Sequence, residues 1–409
     1  MKTTNKPQST LKLAVLASAI SIALIPNVQA TTVDSTVDKV AKAISDSTVN
    51  VNLRYRVESV DQDGIDNNAT ASTLRSRLTW ASAPINKLSV NVEVDNVTAL
   101  FVDDYNSTNN GKAQYPVVAD PEGTDLNQAN IKYAGEKLTF IGGRQRITHN
   151  NQRFVGGVAW RQNEQTYDAA RFVYKASNAL TFDYSYVFNV NRIFGPTDGA
   201  QVADWHGNFH LVNATFKQSK AHQFNAFAYL LDNEVALGNS TNTYGVDYKG
   251  TFGPVTANLS YATQSDAYDS TKDFTADYYK AELSGKVGKI SLKAGYEVLG
   301  SDNGVGFSTP LATLHKFQGF ADKFLGTPAN GIEDIYVGAS TKVGGVKLAA
   351  TYHDFSAEAG SKSYGSEIDL VAAYAFNKHT SGLLKFAAYD ADELGTDTTK
   401  LWAMATFAF

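Results

Sequence analysis

Residues 49–60 read V-N-V-N-L-R-Y-R-V-E-S-V, residues 61–70 D-Q-D-G-I-D-N-N-A-T, and residues 71–80 A-S-T-L-R-S-R-L-T-W. Both arms alternate. Val51, Leu53, Tyr55 and Val57 share one face of the first, opposite Asn50, Asn52, Arg54, Arg56 and Glu58. On the second, Leu74, Leu78 and Trp80 oppose Arg75, Arg77 and Thr79. Side chains alternate faces along a strand, so this is a hairpin with one apolar and one charged face.

The same alternation continues along the 409 residues. After the hairpin strands (49–60 and 72–82) the pattern predicts strands at 87–97, 126–134, 137–147, 164–175, 178–190, 206–216, 221–231, 241–250, 254–264, 276–286, 289–299, 331–342, 345–355, 365–376, 381–390 and 399–409. That is 18 strands, with short connections such as 343–345 and 377–379 alternating with long ones such as 98–125 and 300–330. An even strand count with two classes of connection is the pattern of a transmembrane β-barrel, with short periplasmic turns and long extracellular loops. A soluble sandwich or propeller does not explain the two classes. The last strand ends on Phe409, as barrels sorted to the outer membrane do.

Composition agrees. The 21 tyrosines and 22 phenylalanines are spread evenly and no linker interrupts them, which argues for one unit. Lys2, Lys6 and Lys12 precede an apolar run from Leu13 to Ile25, followed by Val28-Gln29-Ala30. This is the pattern of an export signal cleaved after Ala30. The run is shorter than the roughly 20 residues of a membrane-spanning helix. Removing the three lysines takes the 36 basic residues to 33 against 41 acidic, a formal charge of −8. Such a surface argues against nucleic acid as a partner. No cysteine is present, so the fold closes without disulfides. Since every backbone polar group must be paired inside a bilayer, a closed barrel is the remaining way across. The expected organisation is a signal peptide at 1–30, an N-terminal periplasmic segment at 31–48 and the barrel at 49–409. Within the second, Val33, Val37, Val40, Ala41 and Ile44 have helical spacing, consistent with a tail or a short helix. Outer-membrane lipid and lipopolysaccharide are the expected surroundings.

All ten arginines lie between Arg54 and Arg192, and the later half uses lysine only. A register symmetric about the first loop places Arg54 opposite Arg77 and Arg56 opposite Arg75. A register centred on Ile85 brings Glu93 near Arg77 and Asp95 near Arg75. The expected lumen wall is thus Arg54, Arg56, Arg75 and Arg77 edged by Glu93 and Asp95, and continued by Arg144, Arg146 and Arg171. Guanidinium groups stay charged and bind carboxylates in bidentate fashion, so such a wall either favours anionic solutes or forms a salt-bridge ladder inside the barrel. Thr309-Pro310 followed by Leu311, Leu314, Phe317, Ala321, Phe324 and Leu325 has the spacing of a helix in the longest loop that caps the mouth or folds into the pore, the other reading being a self-packed loop on the rim. His206 and His210 lie on a strand, where a spacing of four does not make a metal site, and the acids of 103–125 read as solvated loop charge. No nucleophile elbow or phosphate loop is present. No cofactor and no enzymatic activity are expected.

L-R-Y-R-V-E (53–58), S-T-L-R-S-R-L-T-W (72–80), G-G-R-Q-R-I (142–147), R-Q-N-E-Q-T-Y-D-A-A-R-F (161–172) and H-K-F-Q-G-F-A-D-K-F-L-G-T-P-A-N-G-I-E-D-I-Y (315–336) together resemble the alginate-export family of outer-membrane proteins. The resemblance covers roughly residues 50–409. It implies a monomeric 18-stranded barrel, and it makes Arg54, Arg56, Arg75, Arg77, Arg144 and Arg171 pore-lining candidates. The chain departs from the family's basic pore: the mature sequence is net acidic, and Glu58, Glu93 and Asp95 sit among the arginines. The expected function is therefore a porin-like channel for passive passage of small hydrophilic, anionic or carboxylated solutes, the alternative being export of an anionic polysaccharide such as alginate. An enzyme or adhesin with a closed lumen is a third reading.

Overall fold

The computed structural model describes residues 35–409; the export signal expected at 1–30 lies outside the described residues. Residues 35–45 form a helix, α1 (Ser35–Ser45), with Asp38 in its first turn and Lys42 in its last, charges that complement the helix dipole. The barrel is the separate compact unit Asp46–Phe409.

The barrel strands are β1 (Thr48–Gln62), β2 (Ala69–Ala81), β3 (Leu88–Asp104), β4 (Gly123–Ala134), β5 (Leu138–Gln145), β6 (Thr166–Lys175), β7 (Leu180–Asn191), β8 (Asp204–Lys217), β9 (His222–Asn233), β10 (Thr241–Phe252), β11 (Val255–Asp266), β12 (Thr275–Val287), β13 (Ile290–Leu299), β14 (Ile332–Val343), β15 (Val346–Ser356), β16 (Ser363–Ala375), β17 (Thr380–Ala391) and β18 (Thr398–Ala408). Each pairs antiparallel with its sequence neighbour, and β18 returns to β1 from Asn52↔Ala408 to Gln62↔Thr398. The 18-stranded sheet is closed. The bilayer has no water to satisfy a free edge, and closure removes the edge. All 18 expected strands are present.

The alternation reports the two faces. On β14 the outward Ile335, Val337 and Val343 are 55%, 53% and 59% exposed, whereas Asp334, of the opposite phase, is 1% exposed. At the short-turn end two residues suffice to reverse the chain: between Val343 and Val346 stand Gly344 (φ 56°) and Gly345 (φ 88°). A two-residue hairpin loop with positive φ at both positions matches the strand twist and calls for glycine.

Register departs from the expectation by one pleat. Arg54 faces Arg75, Asn52 faces Arg77 and Arg56 faces Thr73. On the next ladder Arg77 faces Asp95 and Thr79 faces Glu93. A slip of two keeps every side chain on its face, so the hydrophobic pattern is equally satisfied by both registers. The expected connection at 98–125 is also shorter than its polarity suggests, because β3 continues to Asp104.

Two loops turn into the barrel. Ile147 and Val155 of the 146–165 segment join Phe307, Leu311, Ala321 and Phe324 of the 300–331 segment in one buried cluster. Inward-facing Trp205, Phe209, Leu211, Tyr229, Tyr278, Tyr389 and Trp402 complete it. The apolar core of this protein therefore lies inside the loop half of the barrel. The helix expected after Thr309-Pro310 is replaced by a small hairpin (Ser301–Asp302 with Val305–Gly306) and a single 3-10 turn, Leu314–Lys316. Positive φ at Gln318, Gly319 and Asp322 interrupts the helical run. At Gly319 a Cβ would stand 2.4 Å from the Glu367 carboxylate, so the chain passes the wall where no side chain fits.

The observed register is open to a direct check in this cysteine-free chain. Val51→Cys with Leu78→Cys places two thiols on directly opposed residues and forms a disulfide on oxidation. Leu53→Cys with Leu78→Cys, opposed in the register expected from the sequence, places them on a diagonal roughly 7–8 Å apart, too long for a bridge. The reverse outcome would restore the sequence-based register.

Candidate functional site in the lumen

The charged face of β1 and β2 looks into the barrel, and its arginines are occupied by the 146–165 segment. Arg54 donates from Nε to Gln162 Oε1 (2.9 Å), from Nη1 to the Ala159 carbonyl (2.9 Å) and from Nη2 to the Arg161 carbonyl. Gln162 in turn donates to Thr73 Oγ1 (2.8 Å) and takes its own backbone contact at Asp120 Oδ1 (2.8 Å). Arg56 is fully buried; it donates to the Trp160 carbonyl (2.7 Å), pairs with Asp120 and lies over the Trp160 ring. Arg75, 5% exposed, donates to Asn52 Oδ1 (2.6 Å).

A second group surrounds Glu164. Arg77 grips Asp95 in bidentate fashion (2.7 and 2.5 Å) and reaches Glu164 Oε1 at 2.7 Å. Arg146 reaches Glu164 Oε2 at 2.5 Å and pairs with Glu93. Glu93 also accepts from Thr79 and Asn127, each at 2.6 Å. Arg161 extends the chain of pairs across the lumen, from Glu58 (3.0 Å) to Asp322 of the 300–331 segment (3.0 Å). Asp322 contacts His315 Nδ1 at 2.6 Å and Lys400 Nζ at 3.3 Å. Beyond it, His315 stacks on Trp160 at 4.6 Å and meets the Lys385 ammonium at 2.6 Å. Arg153 ties the same two segments to the far wall, with Glu297 at 2.9 Å and Thr309 Oγ1 at 3.2 Å.

Of the nine residues expected in the wall, Arg54, Arg56, Arg75, Arg77, Glu93, Asp95 and Arg146 converge on these two networks, and Arg171 faces inward against Asp183 (3.0 and 2.5 Å). Arg144 does not join them. It shares its face with Leu138, which is 40% exposed, and pairs with Asp168. Asp168 is in phase with outward Phe172 and Tyr174. Alternation from Phe140 thus carries Arg144 outward, where it holds Asp168 at 2.8 and 3.0 Å. Arg146 turns in because β5 ends at Gln145.

The remaining space lies on the opposite side. A polar cavity of about 560 Å³ is bounded by Lys280, Lys293 and Lys316, by Glu282, Asp334 and Asp369, and by Phe317, Tyr336 and His353. Lys293 sits 5.1 Å from the Tyr336 ring centre and Lys316 5.8 Å from that of Phe317. Among the described residues the lysines with a carboxylate within 4 Å include Lys280 but neither Lys293 nor Lys316. The sequence reading passed over this group. Its signal was the inward phase of Lys280 and Lys293 in the half that carries no arginine.

The model of a family described as alginate export matches residues 46–297. Among solved structures, OccAB4 of Acinetobacter baumannii superposes with a TM-score of 0.70 at 13% identity, covering 89% of this chain and 98% of that one. OccK3 (OpdO) of Pseudomonas aeruginosa gives 0.69 at 12%, covering 92% and 99%. OccK9 (OpdG) of the same organism gives 0.67 at 15%, covering 90% and 99%. At these identities the likeness is one of fold. No curated protein sequence matches. The family match runs from the start of the barrel through most of β13 and takes in both arms of the arginine hairpin. The chain belongs to the alginate export family, as a closed 18-stranded barrel of the Gram-negative outer membrane.

Proposed function

We propose that the chain acts as a monomeric passive channel for small hydrophilic solutes, preferring anionic or carboxylated ones, and that its two inward loops set the bore. The observation that carries this reading is the cavity beside the loops, where among the described residues Lys293 and Lys316 present ammonium groups engaged by ring faces and a backbone carbonyl and by no carboxylate within 4 Å. A cation so held exchanges its weak contacts for a passing carboxylate and releases it again, which conduction requires. The arginines serve differently. Arg54 and Arg56 bond the Ala159, Arg161 and Trp160 carbonyls, Arg56 pairs with Asp120, and Arg77 holds Glu164, so these three anchor the 146–165 segment. Export of an anionic polysaccharide is favoured by the family match alone, and a polymer would have to displace both loops.

Reversal potentials in planar bilayers separate these roles. The triple substitution K280A/K293A/K316A is expected to lower the anion-to-cation permeability ratio severalfold at little change in conductance. Cation preference in the unsubstituted protein would sink the proposal. Long oligouronates that block a single pore at micromolar concentration would favour the exporter.

Arg56→Ala tests the anchor. It leaves Asp120 buried without its main partner, a loss of about 3–5 kcal/mol for a buried pair. The 146–165 segment is then expected to become cleavable by trypsin at Arg153 and Arg161, with a larger and noisier conductance. An unchanged digestion pattern would show that the guanidinium is dispensable.

Acid should loosen the same loops. Burial, with Lys385 and Arg161 nearby, outweighs the pull of Asp322 and holds His315 neutral, its pKa pushed down to about 3 from the usual 6.5. Burial raises the Glu164 carboxyl, but Arg77 and Arg146 prevail and bring it to about 2 from 4.5. Both groups bind protons more readily once released, so seating of the loops is favoured at neutral pH and weakens as pH falls. The histidine contributes from about 6.5 down to 3 and the glutamate from about 4.5 down to 2. Conductance should rise between pH 7 and pH 4, and His315→Gln should remove the upper part of that rise. A flat profile in the unsubstituted protein would refute the linkage.

A further inference from the structure

Charge is divided along the barrel axis. At the loop end the exposed side chains include Asp198, Glu234, Asp269, Asp273, Asp392 and Asp397. At the short-turn end, the exposed Lys132, Lys175, Lys217, Lys286, Lys342 and Lys347 stand at or near strand termini. The turns there add lysines such as Lys220 and Lys289 and a single acid, Glu136.

Phase places these six strand lysines on the inward face. Val337 and Val343 point outward, so Lys342 points in, and Lys347 alternates with outward Leu348. Likewise Lys286 is in phase with inward Lys280 and Glu282, Lys217 with Leu211 and Asn213, Lys175 with Arg171, and Lys132 alternates with outward Ile131. They come from β4, β6, β8, β12, β14 and β15, around much of the rim. Lys342 and Lys347 are directly opposed in the ladder, an arrangement that repels. Among the described residues the lysines paired with a carboxylate include Lys112, Lys280 and Lys400 and none of these six. Among the described residues no carboxylate lies within 4 Å of these six, whereas the acids higher in the lumen are met by Arg77, Arg146, Arg161 and Arg153.

We infer that the short-turn mouth is an anion-collecting vestibule, and that multivalent anions enter the channel from that side in preference to the loop side. The inference rests on the channel reading and adds a direction to it. A wall of one sign around a low-dielectric mouth focuses the field and raises the local concentration of counter-ions. At physiological salt that field extends about 8 Å, enough to fill a mouth rimmed by side chains on several strands but not to reach the far end. The acidic loop end repels the same solutes. Monovalent anions feel the difference weakly; anions with several charges feel it as a product over contacts.

Tripolyphosphate is a suitable probe in planar bilayers, applied to one side of single channels. A Lys362→Cys substitution in a loop, labelled with an impermeant maleimide, reports which end faces which chamber. Current is expected to fall at a concentration at least ten-fold lower when the probe is on the short-turn side. K286Q/K342Q/K347Q should abolish that difference while leaving conductance at high salt intact. K132Q/K175Q/K217Q, on the other side of the rim, should reduce it independently. Open channels that block equally from both sides, or a difference that survives both triple substitutions, would overturn the vestibule while leaving the channel reading in place. No conductance from the folded barrel in any orientation would overturn both.

Discussion

Arg54 and Arg75 face each other across the first ladder on the lumen side. Two guanidinium groups directly opposed repel, and among the described residues the strands supply an acceptor to Arg75, at Asn52 Oδ1, but none to Arg54. The structure resolves this with backbone. The 146–165 segment enters the barrel and presents the Ala159 and Arg161 carbonyls with the Gln162 side chain to Arg54, while Arg75 turns back to Asn52. The first hairpin is thus incomplete without a loop that begins some ninety positions later in sequence. Once that loop is seated, Arg161 is placed between Glu58 and Asp322, and the 300–331 segment is drawn into the same network. The narrowing of the lumen follows from a charge problem in β1 and β2.

The strands were legible because the bilayer enforces their pattern: each strand has one face in lipid and one in the lumen, and Ile335, Val337 and Val343 mark that face on β14 as plainly as Val51 and Leu53 do on β1. Register was not legible. Moving β2 by two residues keeps Leu78 and Trp80 outward and both arginines inward, so nothing in the hydrophobic pattern separates Arg54↔Arg75 from Arg54↔Arg77. Arg144 shows the opposite error. Its outward phase could be read from Leu138 and Phe140, but clustering with other arginines along the chain outweighed phase in the sequence reading. The inward loops lay beyond local reasoning altogether. Val158 bonds the Thr313 hydroxyl 155 residues away, and Gly156 lies so close to Thr313 that a Cβ would stand 2.3 Å from its Oγ1. Such complementarity has no periodic signature.

The switch from arginine to lysine after Arg192 takes on physical meaning in this frame. A guanidinium offers five fixed donors and suits permanent attachment to carbonyls and paired carboxylates, which is how Arg54, Arg56, Arg77 and Arg161 are used. An ammonium is a compact, mobile charge whose contacts are easily exchanged. On the wall where the loops are anchored, arginine is spent on structure and its charge is neutralised by Asp95, Asp120 and Glu164. Facing the open cavity, Lys293 on the wall and Lys316 on the inward 300–331 segment have no carboxylate within 4 Å among the described residues and rest against the Tyr336 and Phe317 rings, while Lys280 beside them stands 3.9 Å from Glu282. A channel that selects solutes through transient contacts needs the second kind of cation in its path and the first kind out of it; here the arginines of the first hairpin hold the loops, and the lysines serve both ends, Lys385 and Lys400 buried at His315 and Asp322, Lys293 and Lys316 facing the cavity.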